Sequence, residues 1–484
     1  METTDQPLDE TTSTRKGRAW LTPTLLALVG CLVPLVIGWL VHPVDIGGSD
    51  PGMWETAARD VSLGGPSPIA PFFPFLISLL HGGLGLPWDQ AGWGITLVST
   101  AALGPVTWWL ARQLGAPSKL AALAALCVLA EPWLACSSYQ CQPDSLTALS
   151  FVLALLAALA WVRTPDWKHL LVMLLVVGLL PQIREHAATL SLGMLVLLVL
   201  TRGPWHQRGL RLVLGVLAIL CLPVLAGEPP ALPWQHFWVQ ARWGEVITHF
   251  FASDAPAHLE RTPRAFSEAF AASYAQGSRL RIALLHARLS FLTGHSPWLW
   301  LGLAAVAIPL LRRHRLVVLI GLLPAIAVLG GAQQPRHLAV LVPIAAASWV
   351  AALSRFRIQE RLVMLAITAA IVGLCLMDSK HATTSLRKTA EYRHAMREMC
   401  EELCDRLPSD AVYTGEMPRT LIYCDRPFMR RLDANQTNHH LYWVGMPDRP
   451  LPRDWPKLKQ RGWVPMELES SFGEVVHRPP PGRE

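Results

Sequence analysis

The sequence predicts a polytopic α-helical membrane protein of about 11 transmembrane helices, with a large first outer loop of two interfacial helices and a small C-terminal α/β domain outside. Three observations carry that prediction. Of the 484 residues, 52% are hydrophobic and only 16% are charged, with a mean hydropathy of +0.32; a soluble domain carries about 25% charged residues. Apolar runs near or somewhat below the ~20-residue length needed to cross a bilayer recur along the chain. Lysine and arginine are distributed unevenly between the segments that join those runs.

The runs fall at 19–41, 88–111, 118–132, 143–162, 169–182, 184–201, 210–227, 297–311, 316–331, 337–353 and 361–377. The N-terminal segment is basic just before its first apolar run, as a signal peptide would be. That run is longer than a signal-peptide core and no small-residue cleavage site follows it, so it reads as a retained span. The pair 169–182 and 184–201 admits two readings, one helix kinked at Pro181 or two short helices.

Charge decides between them. With residues 1–18 as a cytoplasmic tail, the short inner segments hold Arg15, Lys16, Arg18, Arg112, Lys119, Arg163, Lys168, Arg202, Arg208, Arg211, Arg312, Arg313, Arg315, Arg355, Arg357 and Arg361. The short outer segments hold only Arg59, Arg184 and Arg336. A single span over 169–201 would reverse this asymmetry for everything after it, so two helices are expected. The formal net charge of +7 is therefore an orientation signal and implies no nucleic-acid partner. The organisation is a tail (1–18), a transmembrane domain (19–377) with outer loops at 42–87 and 228–296, and an extracytoplasmic domain (378–484).

The first outer loop is too polar and too interrupted by Gly and Pro to cross a membrane. It places Asp45 and Asp50 just past the first span. After Asp50, Trp54, Ala57, Ala58 and Val61 recur at helical spacing. A Pro-rich turn over 66–74 opens into a short apolar segment, 72–80, giving two short helices on the membrane face. The 228–296 segment brings Trp234, Phe237, Trp238 and Trp243, suited to an interfacial belt. The tail opens with a helical pattern over 385–407, and β-prone pieces follow at 411–414, 441–444 and 464–468.

Nine cysteines are present. Cys31, Cys127, Cys221 and Cys375 lie in apolar runs and read as packing residues. Cys136 and Cys141 share one loop, and Cys400, Cys404 and Cys424 lie in the tail. In an oxidising compartment Cys136–Cys141 and one tail pair could be disulfides; free thiols are the alternative. No Cys/His spacing suggests zinc.

Four residues stand out chemically, all mapping to one membrane face. Asp50 could act as a general base, although Asp-Pro is also a common helix start. Asp144, in QPDSLTALSF, opens a span and is either a cap or a functional carboxylate; Glu131 ends the preceding one. Arg184 stands with Glu185 and His186 between two apolar segments. It is either half of an Arg184–Glu185 pair or an anion ligand, since a guanidinium fork suits phosphate oxygens. Arg336 begins a late span and either snorkels or binds an anion. A carboxylate near arginines is what transfer from a lipid-linked phosphate requires, a base for the acceptor and cations for the leaving group.

At these residues the chain resembles the GT-C glycosyltransferases, in particular the protein O-mannosyltransferases and the lipid A aminoarabinose transferase. The likeness is carried by Asp50, Trp54, Ala58, Gly64 or Gly65 and Pro71 to Pro74; by Asp144 opening a span; by Gly178 and Arg184; and by Arg336 with Pro343 downstream. It departs at Pro51, where the family often has Glu, and at Trp54 and His337, where Tyr is common. The resemblance implies an inverting transfer of a hexosyl or pentosyl group from a polyprenyl-phosphate donor to an extracytoplasmic lipid, glycan or protein. Asp50 would be the base, with Arg184 and Arg336 at the phosphate and Asp144 orienting the acceptor or a cation. Trp54 and His337 would be further substrate contacts. No cofactor is certain, and a divalent cation remains a candidate. The expected location is a bacterial inner membrane. Two other classes fit the same composition, a transporter or flippase of a lipid-linked substrate and a non-catalytic membrane scaffold; the first would show paired broken helices in two related halves, which the sequence lacks.

Overall fold

In the computed structural model the described residues form the runs 12–41, 49–62, 70–184, 187–201, 203–225, 315–324 and 339–356, with short pieces between 359 and 478. The helices among them are α1 (Thr12–Val41), α2 (Ser49–Ser62), α3 (Phe72–Leu84), α4 (Trp88–Gln113), α5 (Ser118–Leu129), α6 (Pro132–Ser137), α7 (Asp144–Arg163), α8 (Trp167–Ile183), α9 (Ala188–Leu200), α10 (Trp205–Leu225), α11 (Arg315–Leu322) and α12 (Val342–Leu353). The 228–296 segment and the 297–311 run lie outside the described residues. By length and apolarity α4 and α7 qualify outright as spans, while α5, α8, α9 and α12 are apolar but shorter.

The chain divides into two compact units. The first comprises residues 1–36, 95–138 and 143–380; the second comprises 37–94, 139–142 and 381–484.

In the first unit α7 is the central helix. Its apolar side chains are spread around the whole circumference, the pattern of a helix buried on all sides, and Phe151, Leu155, Leu159 and Trp161 are fully enclosed. Every residue of α12 is buried as well, against α5 and α7. α11 lies against both α7 and α9 because glycines permit it. A Cβ on Gly321 would sit 2.6 Å from a Leu155 methyl, and one on Gly193 of α9 would sit 2.7 Å from Ile320. Small residues are the usual means by which membrane helices approach closely. On the outside of the unit, α1, α8, α9 and α10 expose long rows of Leu and Val. That is the surface of a helix bundle solvated by lipid.

α8 and α9 are separate helices, as the charge asymmetry predicts. Pro181 is accommodated inside α8, and the break comes later. Arg184 leaves the helix in an extended conformation (φ −156°, ψ 144°), and Ala187 N–H closes the turn onto the Arg184 carbonyl at 3.0 Å.

Arginines at or near helix ends satisfy nearby backbone carbonyls. Arg112 donates to Ala116 O (2.9 Å), Arg163 to Gln113 O (2.7 Å), Arg211 to Thr201 O (3.3 Å) and Arg361 to Ser354 O (2.9 Å). Gln113, Thr201 and Ser354 stand at the C-terminal ends of α4, α9 and α12, so three of these arginines fill the hydrogen-bonding gap that a helix C-terminus leaves.

In the second unit α2 packs on α3. Trp54 meets Phe73 edge to face, with centroids 5.6 Å apart and planes at 83°, and Ala57, Ala58 and Ile77 are fully buried beside them. His81, in the last turn of α3, stacks on Trp88 at 3.8 Å, with its Nδ1 2.7 Å from Leu86 O. The C-terminal part carries a four-stranded mixed sheet in the order β1 (Val412–Gly415), β2 (Leu441–Val444), β4 (Val475–Arg478), β3 (Val464–Met466). β1 and β2 are parallel, with Val412 opposite Leu441; β4 runs antiparallel to both β2 and β3. Three strands fall on the β-prone pieces read from the sequence, and β4 is an addition. Cys404 is disulfide-bonded, one of the two options left open for the tail cysteines.

Candidate functional site

The site grows from two helix ends in the first unit. Pro143 cannot donate a backbone hydrogen bond and stands just before the helix. Its carbonyl accepts from both the N–H and the hydroxyl of Thr147, at 2.7 and 2.8 Å, which locks the first turn of α7. Asp144 is therefore already helical, and its carboxylate makes no capping bond. It turns to α8 instead, which packs antiparallel on α7 and ends at the same level. There Arg184, released from the helix, brings Nη1 to 3.2 Å from Asp144 Oδ1. Both side chains are enclosed, Asp144 at 1% exposure and Arg184 at 9%.

Neither charge would be stable there alone, since the cost of burying an unpaired ion is several kcal/mol even after relaxation. Next to Asp144 in the chain, a polar rung joins α7 to α4. Ser145 Oγ lies 2.9 Å from Thr100 Oγ1, and Thr100 is anchored to the Thr96 carbonyl at 2.9 Å. The result is a guanidinium fixed in direction at one end of the bundle.

Asp144 is paired with Arg184 and does not cap α7. Glu131, in contrast, is a cap. Its Oε2 accepts from Leu134 N–H at 2.7 Å at the start of α6, with Pro132 in the first helical position. Asp50 is the second residue of α2; its side chain lies outside the described residues, as do Arg336 and His337 in full. Trp54 is 4% exposed beneath Phe73.

Two carboxylates were not singled out in the sequence. Glu55, on α2, is 0% exposed, and Asp89, in the first turn of α4, is 8% exposed with Oδ1 accepting from Gln90 N–H at 2.8 Å. The spacing of Trp54, Ala57, Ala58 and Val61 marks one apolar face, and Glu55 stands about 100° from it; only the enclosure of α2 on more than one side makes it visible. Cys136 and Cys141 are buried free thiols, so the disulfide expected as one option between them does not form. Burial, with a smaller contribution from Glu131, pushes the Cys136 thiol up to about 12. Burial first, then the Glu55 and Asp89 carboxylates, pushes Cys141 well above the ordinary thiol range. Among the described residues no three His, Cys, Asp or Glu side chains converge as a metal ion would require.

Residues 68–226, from the Pro-rich turn to the end of α10, match the family model described as dolichyl-phosphate-mannose-protein mannosyltransferase. Over that stretch the chain resembles the GT-C glycosyltransferases, as its motifs indicate. In particular it is similar to ArnT from Cupriavidus metallidurans. The structure of that protein bound to undecaprenyl phosphate matches at 17% identity with a TM-score of 0.54, over 95% of this chain and 98% of that one. Its apo structure matches at 17% identity and a TM-score of 0.55, over 96% and 98%. At this identity the likeness is one of fold, and it runs nearly end to end. No curated protein matches the sequence.

Proposed function

We propose that the protein is a membrane glycosyltransferase that moves a sugar from a polyprenyl-phosphate donor to an extracytoplasmic acceptor. The observation that carries this reading is the near full-length fold likeness to a protein whose structure holds undecaprenyl phosphate, joined to the mannosyltransferase family match over 68–226.

In the proposed reaction the Asp50 carboxylate takes the proton of an acceptor hydroxyl. The acceptor oxygen attacks the anomeric carbon as the bond from that carbon to the phosphate oxygen breaks, with inversion. The electron pair leaves on the lipid phosphate, which gains a negative charge. Arg184 and Arg336 stabilise that charge where it develops. The 3.2 Å contact to Asp144 supports a division of labour in which Asp144 orients a cation, Arg184, so that no reorganisation is needed when the phosphate departs. General-base catalysis by Asp50 contributes roughly 10²–10⁴-fold.

The test is reconstitution of the full chain in vesicles with undecaprenyl-phosphate-linked sugars carrying a label. Release of undecaprenyl phosphate with the label on a new acceptor supports the reading. Label that stays on the lipid but changes leaflet would replace it with a flippase. Deletion of the gene, followed by analysis of cell-envelope glycans and glycolipids, then identifies the product.

A further inference from the structure

The first unit carries a second charged cluster, about 30 Å along α7 from Asp144 by helix rise. It is built where α7 and α9 end and α8 and α10 begin. Arg211, on α10, is buried with its guanidinium 5.0 Å from the centre of the Trp161 ring, and Trp161 Nε1 donates to Thr201 Oγ1 at 2.8 Å. These contacts tie the ends of α7, α9 and α10 together. α8 begins just after α7 ends, α10 is pinned to that end of α7 by Arg211, and α8 and α10 pack on each other, so both helices begin at this end of the bundle.

On that rigid base two tryptophans project outward. Trp167 is 66% exposed and Trp205 is 82% exposed. Each carries a cation over its ring: Lys168 Nζ lies 5.9 Å from the Trp167 centroid, and Arg208 Cζ lies 5.2 Å from the Trp205 centroid. Arg208 is aimed by its Nε bond to Gly203 O at 2.9 Å. Across 161–169 and 201–211 there are five Lys and Arg against one acid, Asp166, and Asp166 is engaged in capping α8 through the His169 N–H at 2.9 Å. Immediately beyond the cluster, α8 and α10 expose aliphatic side chains such as Leu175 and Val213.

We propose that this corner is a binding site for the headgroup of an anionic phospholipid. Lys168 and Arg208 take the phosphodiester, Trp167 and Trp205 sit at the level of the glycerol backbone, and an acyl chain runs along the exposed aliphatic rows. Charge complementarity favours an anionic over a zwitterionic lipid, because Lys and Arg outnumber acids five to one in these segments and the one acid, Asp166, is turned to the start of α8. A tryptophan this exposed suits the boundary between water and hydrocarbon, where its ring is apolar and its N–H is wet. The site lies at the opposite end of α7 and α8 from the Asp144–Arg184 pair, so it does not depend on the proposed transfer reaction.

The test uses the full-length protein in nanodiscs of phosphatidylcholine with increasing phosphatidylglycerol, followed by native mass spectrometry of the retained lipid. The wild type is expected to retain phosphatidylglycerol selectively. Each charge removed should weaken retention about fivefold, so Lys168→Gln with Arg208→Gln should lose about twenty-five-fold. Lys119→Gln removes the same charge from an exposed position on α5, elsewhere on this face, and should change nothing. Lys168→Glu, at an exposed site, is the companion should the double variant fold poorly. Equal retention of both lipids, or a Lys119→Gln loss as large as that of Lys168→Gln alone, would overturn the proposal by showing a diffuse surface potential.

Discussion

Replacing Arg184 by Gln removes the guanidinium and leaves the Asp144 carboxylate enclosed at 1% exposure without its cation. At the observed 3.2 Å and an effective dielectric of about 20, the Coulomb attraction between the two is about 5 kcal/mol. Desolvation of both ions offsets much of that in the native protein. The offset does not apply to the variant, in which one ion stays buried and its partner is gone, and such losses run to about 3–5 kcal/mol. The decisive comparison is a double-mutant cycle. Asp144→Asn with Arg184→Gln puts two neutral amides of similar shape into the same space, and they can hydrogen-bond to each other. The double variant should therefore be about 2 kcal/mol more stable than the sum of the two single losses predicts. Thermal unfolding of the protein in nanodiscs, followed by intrinsic fluorescence, reads this as a midpoint for the double variant above that of Arg184→Gln. Strict additivity, or an Arg184→Gln variant that melts with the wild type, would refute the claim that the two charges depend on each other.

Three further outcomes follow from particular contacts. A Cβ at Gly92 would lie 2.0 Å from Cys141 Sγ, so Gly92→Ala should destabilise by about 1–3 kcal/mol; adding Cys141→Ala should recover much of it in the same melts, and no recovery would mean that the obstruction lies elsewhere. Because burial raises the Cys136 thiol from 9.0 to about 12, the unfolded chain releases that proton first as pH rises. The stability tied to Cys136 is complete below about pH 9 and is lost between about pH 9 and 12; Cys136→Ala should flatten that limb of a stability–pH profile, and an unchanged limb would exclude the thiol as its source. Glu131→Ala should cost about 1 kcal/mol through loss of the α6 cap, measurable as a lowered melting midpoint, whereas Glu131→Asp should recover part of it.

The bundle was legible because membrane burial imposes rules that sequence obeys locally. The Lys and Arg asymmetry separated α8 from α9 although Pro181 pointed to a break two residues too early; proline inside α8 is tolerated, and the helix ends where Arg184 turns toward Asp144. Asp144 and Arg184 were each legible as polar residues at span ends. That they are partners was not, because the motif shows two residues 40 positions apart and only antiparallel packing of α7 on α8 brings them level. Glu55 was hidden by its helical position, which implied a solvated side that the fold encloses. β4 was missed because VVHR runs into a proline-rich end and is too short to show alternation. Its assignment rests on non-local pairing with β2 and β3. Of the two options for Cys136 and Cys141 the free thiols hold, and sequence proximity could not decide between them because it fixes neither the burial nor the direction of a thiol.

The central claim is that Asp50 deprotonates the acceptor in transfer from a lipid phosphate. Its most direct measurement is single-turnover transfer by the Asp50→Asn protein in vesicles, paired with its binding of undecaprenyl phosphate. The account predicts a loss of about 10²–10⁴ in rate with lipid-phosphate binding retained. Transfer at the wild-type rate by the correctly folded variant would contradict it.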